Sequence, residues 1–275
     1  MNNYQHYLSK IGGQVLAGNV QLPSLPKQAA IIRDVVMSEP LDLHELIYSV
    51  ESNVGIATVF IGQANSAFYR GVEPVKSVRE AIIRVGVDYA QSLAMRAALR
   101  TLYIPRSQAA RVWFDQHWQE NYWVIAAARY LATWTRHNVG EVTMCAMLHN
   151  IGRLPIVIEI DQQNRADELY QNGYQSVAAL VPTAPRISYL IAKRWAMSET
   201  HCRTALVAGE LNKRYNESIL NVINFAVVMG RSLFVGLPIT EVIDTPEASN
   251  VIDILNLDRK QIIRAANQMA ATRDD

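Results

Sequence analysis

An all-α protein, a multi-helical bundle with its own N-terminal helical subdomain, is the fold this sequence predicts, and three observations predict it. Apolar residues recur at helical spacing almost everywhere along the 275 residues. Pro23, Pro26, Pro40, Gly86 and Pro105 punctuate the periodic segments. Only one short β-branched run, Leu154 to Ile160, is open to reading as a buried strand, the alternative being the frayed end of a helix. Half the residues are apolar, so a chain of this length can bury one large core or two modest ones.

The elements follow in order. After Pro23-Ser24-Leu25-Pro26, the residues Ala29, Ile32, Val35 and Val36 mark a first helix, and Pro40-Leu41-Asp42 opens a second through Leu43, Leu46, Ile47 and Val50. Further helices are expected over Val54 to Ala67, Ser77 to Val85, Asp88 to Leu102 and Ser107 to Thr135, with Gly86 as a C-cap between two of them. Ile104-Pro105 ends the first group, because the residue before proline avoids the α region, and a subdomain boundary is placed there. Beyond it helices are expected at Gly140 to Leu148, Asp161 to Gln171, Arg186 to Trp195, Glu199 to Lys213, Glu217 to Val235, Ala248 to Leu255 and Asp258 to Ala271. No fixed-period repeat is visible, and the acidic end Arg273-Asp274-Asp275 should fray.

Composition excludes several function classes. A net charge of +1 and a charged fraction of 19% give no global basic field, so duplex nucleic acid is not an expected partner. Cys145 and Cys202 lie in apolar helical sequence and do not form a disulfide framework, which suits a reducing compartment; a cytoplasmic location is expected. Met1 to Lys10 has no basic run followed by an apolar stretch, so no signal peptide is expected. Ile219 to Ile239 is the most apolar long stretch, but Asn221, Asn224, Arg231 and Pro238 interrupt it, and it reads as a buried core helix, not a membrane span.

Leu148-His149-Asn150-Ile151-Gly152-Arg153 carries the functional information. In a dinuclear metal hydrolase an adjacent His and Asp supply an imidazole nitrogen and carboxylate oxygens, and the carboxylate charge offsets the cations. Asn150 has the shape of Asp but a neutral amide, whose single carbonyl oxygen cannot bridge two ions.

Four pieces resemble, in order and spacing, the landmarks of the HD-related output domain (HDOD) family. They are Leu22-Pro23-Ser24-Leu25-Pro26, Ala64-Asn65-Ser66-Ala67-Phe68-Tyr69, Ser77-Val78-Arg79-Glu80-Ala81-Ile82-Ile83-Arg84-Val85-Gly86, and the Leu148 to Gly152 motif. The resemblance spans roughly Val20 to Glu210 and implies an all-helical, HD-like, bacterial regulatory or interaction module, similar to HD phosphohydrolases but lacking parts of their ligand set. The implied organisation is an N-terminal helix or extension (1–19), an HDOD-like domain made of a helical subdomain (20–105) and a degenerate HD-like subdomain (106–210), and C-terminal helices (211–275) packing on the latter.

On this resemblance His117, 32 positions before His149 (149 − 117), matches the first HD ligand and His149 the second. Asn150 stands where the Asp should be, and Gly230, in Val228-Met229-Gly230-Arg231, falls where the later acid would lie. A paired His expected near Gly209-Glu210, after the Trp-Gly-Leu-Pro-like Trp195-Ala196-Met197, is absent. The vestigial site is thus His117, His149, Asn150 and Arg153; no metal is expected, and any that bound would use His117 and His149. Arg153 takes the place of a basic residue that HD enzymes tend to have near substrate phosphate.

Plainer readings stand beside these. His149 in an apolar helix reads more readily as a core histidine satisfied by a backbone carbonyl than as a ligand, and His117 reads also as a surface residue. Cys145 and His149 share a helix face and could form a soft half-site. Glu120 shares a face with His117 and could replace a lost carboxylate, the alternative being a solvated pair. Trp113, Trp118, Tyr122 and Trp123 read as packing, or as a wall to hold a purine. From Arg79 to Arg111 six arginines face two acids; Arg96 and Arg100, one turn apart, are the candidate contact surface, or else part of a solvated helix face. The expectation is a catalytically inactive signalling module with no cofactor, a signalling protein as partner and a nucleotide-type ligand as a candidate input. The alternative is a metal-dependent phosphohydrolase acting on a nucleotide or cyclic dinucleotide.

Overall fold

A computed structural model describes residues 3–19, 21–38, 40–66, 69, 71–165 and 183–271. Among them every regular element is helical, which is the fold class the periodicity predicts. The chain divides into two compact units, Ser24–Ile104 and a larger one formed by Met1–Pro23 with Pro105–Ala271. The residues assigned to an N-terminal extension and to C-terminal helices therefore belong to the same unit as the HD-like motif.

The first unit contains α2 (Lys27–Val36), α3 (Leu43–Glu51), α4 (Val54–Ala64), α5 (Val78–Val85) and α6 (Val87–Leu99), then a 3₁₀ turn, Arg100–Leu102. Side-chain caps start the middle helices. Asp42 accepts from the backbone of His44 and Glu45, Asn53 from Ile56, and Ser77 from Glu80. Helix α4 stops at Ala64, short of the expected Ala67, because Asn65 clasps another strand of chain instead of continuing the helix. Its Oδ1 accepts from Val75 N at 2.8 Å, and its Nδ2 donates to Val75 O at 3.0 Å. Gly86, at φ 85°, ends α5 and starts α6 in a backbone conformation few other residues tolerate. Ile32, Leu46, Val50, Phe60, Ile82, Leu93 and Met95 form the buried centre.

The larger unit is built from α1 (Asn3–Leu16), α7 (Gln108–Thr135), α8 (Val139–Leu148), a 3₁₀ turn (Ile151–Arg153), α9 (Leu154–Gln162), α10 (Ala184–Arg194), α11 (Glu199–Val207), α12 (Ser218–Val235), α13 (Ile239–Ile243), α14 (Pro246–Ile254) and α15 (Arg259–Ala271). Helix α7, about 42 Å long at 1.5 Å per residue, is the spine against which α8 and α12 pack. Its start is pinned by Asp161, whose carboxylate accepts from Arg106 N at 2.7 Å and from Ser107 Oγ at 2.6 Å.

Three expectations change in this unit. Leu154–Gln162, left open between strand and helix, is helical: Pro155 in its first turn presets φ, and Asp161 near its end is tied to α7. The helix expected over Glu199 to Lys213 ends at Val207, because Asn224 of α12 accepts from Gly209 N (2.8 Å) and Glu210 N (3.3 Å) and draws the chain out of helical register. Asn221 holds the next part of that loop through both backbone groups of Tyr215. Finally, the five-residue α13 lay below the length at which periodicity registers. Much of the helix expected at Asp161 to Gln171 lies outside the described residues.

Among the described residues one helix, Ser218–Val235, is long and apolar enough to cross a membrane, but 67% of that stretch is buried against the rest of the protein. It is the core partner of α7, and Gly230 shows how close the approach is. A Cβ there would lie 2.4 Å from Val124 Cα, so any side chain would force the two helices apart.

Candidate functional site

Spacing on α7 puts His117, Glu120 and Asn121 on one face, at i, i+3 and i+4. Helix α8 delivers the next residues at its end: His149 is its C-cap, and Asn150 leaves helical geometry before the 3₁₀ turn that carries Arg153. The turn is fixed by packing. Gly152 N donates to Ser188 Oγ at 2.8 Å, and a Cβ on Gly152 would come within 2.2 Å of Ala184 O, so only glycine fits against α10. From α12 comes Arg231.

Glu120 is the centre of the arrangement. Its carboxylate, 4% exposed, accepts from Arg153 Nη1 at 3.1 Å through both oxygens and from Arg231 Nε at 3.1 Å. Burial pushes its pKa upward, but the guanidiniums of Arg153 and then Arg231 outweigh that and hold it well below the usual carboxylate range. Arg153 is 6% exposed; Arg231 is 38% exposed and reaches solvent.

The two histidines are neutral. His149 Nδ1 lies 2.5 Å from Ala146 O. A carbonyl only accepts, so the proton sits on Nδ1 and Nε2 carries a lone pair. That lone pair lies 3.7 Å from Glu120 Oε1, too far for a hydrogen bond, and burial holds the ring's pKa down against the carboxylate's pull. His117 is fully buried, and neither ring nitrogen has a hydrogen-bond partner among the described residues. Burial, then the nearby Arg153, puts its pKa well below the ordinary value. Asn121 Nδ2 donates to Met147 O (3.0 Å) and Asn150 Oδ1 (3.2 Å), which leaves Asn150 Nδ2 as a buried donor with no partner among the described residues.

The donor set does not fit a dinuclear metal centre. Asn150 supplies no charge, Glu120 is already engaged by two guanidiniums, and Gly230 has no room for an acid. Among the described residues no group of three or more His, Cys, Asp or Glu side chains is arranged to hold a metal. The Cys145 and His149 half-site fails on chemistry as well: burial raises the Cys145 thiol to about 12, and His149 Nδ1 is taken by Ala146.

All four residues of the vestigial site, His117, His149, Asn150 and Arg153, are buried in this one cluster. The surface readings of His117 and Glu120 are corrected, because the face they share packs inward against α8 and α12. Trp113 stacks on His117, with ring centroids 5.2 Å apart, and Trp118 meets the same ring edge-on. The aromatic wall is therefore packing around a histidine. Arg231, Asn121 and Ser188 escaped the sequence reading; Asn121 alone had a signal, its i+4 spacing from His117. The arginine run is divided: Arg96 and Arg100, half-buried and exposed, belong to the first unit, whereas Arg106 and Arg111 begin the larger one.

Motif residues outside the site are structural. Trp195 Nε1 donates to Pro23 O at 3.0 Å, joining two landmarks 172 positions apart. Ala196, where the family pattern has glycine, is held at φ 52°, in the left-handed region that Cβ disfavours.

Comparison with known proteins supports one family. A Shewanella amazonensis structure, provisionally named a metal-dependent phosphohydrolase, is 20% identical with a TM-score of 0.69, over 98% of this chain and 99% of that one. An HDOD domain protein of unknown function from Geobacter sulfurreducens is 18% identical with a TM-score of 0.67, over 97% and 95%. A Marinobacter aquaeolei chain provisionally named a signal transduction protein is 22% identical with a TM-score of 0.67, over 94% and 59%. At these identities the likeness establishes the fold alone. An uncharacterised Treponema pallidum protein is 22% identical over 151 residues, and the chain spans only 29% of that relative's length. The HDOD domain model matches residues 22–210, and with its landmarks clasped as described and its HD acid replaced by Asn150, the chain belongs to the HDOD family.

Proposed function

We propose that this chain is a catalytically inactive bacterial signal-transduction output module that works through protein contacts, with a small nucleotide-type ligand as a candidate input. The observation that carries this reading is the Glu120 cluster. The buried Glu120 carboxylate beside His149 is paired with Arg153 and Arg231, so the charge a metal would have contributed comes from the protein itself. The first unit supports contact work: Tyr48, Val54 and Ile83, on three of its helices, are large apolar side chains left exposed. The provisional signalling name of the Marinobacter chain agrees in kind.

The test is metal content and turnover. Purified without chelator, the protein should carry well under one equivalent of transition metal and release no phosphate from cyclic dinucleotides or nucleoside phosphates. Asn150→Asp should raise metal affinity yet leave turnover absent, because the position of the later acid is still closed by Val124. About two bound metals per chain, with turnover abolished by EDTA, would establish the phosphohydrolase reading instead.

A second expectation concerns the contact surface. Arg96→Glu with Arg100→Glu should weaken capture of a partner from native lysate, because binding energy concentrates in a few Arg and aromatic anchors. The comparison is made at matched circular dichroism, since Arg96 is half-buried and only Arg100 is exposed. Undiminished recovery would move the contact surface elsewhere.

A further inference from the structure

Helix α4 buries only one of its faces. Ile56, Phe60 and Ala64 enter the core of the first unit, while Val54, Gly55, Thr58, Val59 and Gly62 lie exposed. The exposed face of a helix is ordinarily where charged side chains sit, yet the chain carries none from Ser52 to Tyr69. Val54 is 82% exposed and Val59 41%. Thr58 turns its hydroxyl back onto its own helix, donating to Val54 O at 2.8 Å. The helices α3 and α5, which pack on α4, add the exposed side chains of Tyr48 and Ile83. An apolar surface of this kind on a folded unit is the mark of a contact site.

The face is also self-complementary. Gly55 stands three positions before Thr58 (58 − 55), and Gly62 three after Val59 (62 − 59). A Cβ at Gly62 would meet nothing within 4 Å among the described residues, one at Gly55 would meet only Asn53 Oδ1 at 3.3 Å, and neither residue has positive φ. Glycine inside a helix is destabilising relative to alanine, and here no packing within the chain compensates. An antiparallel copy with its two-fold axis between Thr58 and Val59 sets each Gly55 against the partner's Gly62, where bare backbone lets the helices approach closely. In such an isologous contact any charge near the axis would meet its own copy, and this face has none.

Charge enters only at the ends, and with opposite sign. Exposed Glu51 closes α3 just before α4 begins. Exposed Lys76 follows Val75, whose backbone N and O are both clasped by Asn65 at the far end of α4. The carboxylate of Glu80 is occupied in accepting from Lys76 N. Antiparallel pairing therefore brings Glu51 of each copy toward the partner's Lys76. A different protein would have no need of that symmetry.

We propose that the occupant of this face is a second copy of the chain, and that the first unit forms a homodimer through antiparallel contact of α4 with α4. This goes beyond the inactive reading above and does not depend on it.

The experiment is sedimentation equilibrium of the full chain from about 5 to 500 µM, the range in which a small interface dissociates. The mass should rise from one chain toward two. Thr58→Arg sets two guanidiniums at the axis on an exposed position, so it should weaken association at least tenfold at unchanged circular dichroism. Gly62→Leu should do the same without lowering the Tm of the monomer, because its side chain meets nothing inside the chain. Glu51→Lys should weaken association, and adding Lys76→Glu should restore it, which a merely structural role for either residue would not produce. A chain that stays monomeric at every concentration would overturn the proposal and leave the face to a different protein. A dimer that survives Thr58→Arg undiminished would overturn it by placing the contact elsewhere.

Discussion

Glu120→Gln is expected to destabilise the protein by about 3–5 kcal/mol, the range for removing one partner of a buried ion pair. The amide keeps the size of the side chain, so little of the loss comes from packing. What changes is charge: Arg153, 6% exposed, loses the carboxylate that faces its guanidinium in the interior, and Arg231 loses a contact that bridges α12 to α7. In urea the midpoint should fall with an unchanged slope, and at about 2–4 °C per kcal/mol Tm should drop by roughly 10 °C. A companion variant separates charge from shape. Glu120→Leu with Arg153→Met removes both buried charges and should recover most of the loss, because an apolar pair of similar volume is often as stable as the ions it replaces. Arg231→Gln, partly solvated, should cost only about 1 kcal/mol. If Glu120→Gln unfolds at the wild-type midpoint, the cluster does not brace the three elements that meet there.

How much of this was legible in the sequence depends on how local each determinant is. Helix α7 was readable almost to the residue, because Ser107 caps it and its apolar spacing runs unbroken to Thr135. The end of α11 was not, because the group that stops the helix is Asn224, 15 positions away on another helix. The same holds for the site. The replacement of Asp by Asn150 is a local fact, and the spacing from His117 to Glu120 shows a shared face. Whether that face points to water or inward depends on α8 and α12. The decisive partner, Arg231, lies 111 positions from Glu120, and no periodicity relates the two. Even the glycine matched to the lost acid acquired its meaning only from Val124 on the opposing helix.

Stability should be flat above about pH 7 and fall steeply below pH 6.5, with three histidines responsible. Burial lowers the pKa of His117 well below the ordinary value, lowers that of His149, and brings His201 to about 4. Each folded-state value lies below the unfolded value of about 6.5. On acidification the unfolded chain therefore binds these protons first, and stability decreases with falling pH until the folded-state values are reached. Glu120 behaves as a depressed carboxylate: its contribution is present above the unfolded value near 4.5 and is lost only as pH falls further, through its folded value. The histidine window comes first and is separable. Each histidine contributes a slope of at most about 1.4 kcal/mol per pH unit, so about 4 kcal/mol per pH unit is the upper bound for the three together. Denaturation midpoints from pH 7.5 to 5 should thus report net proton uptake on unfolding. The uptake also tests the assignment of His149. If its ring were an imidazolium paired with Glu120 across the 3.7 Å contact, it would already be protonated when folded and would add nothing to the uptake. In the His149→Gln variant the uptake should fall if the ring is neutral in the native protein, and should not change if it is charged.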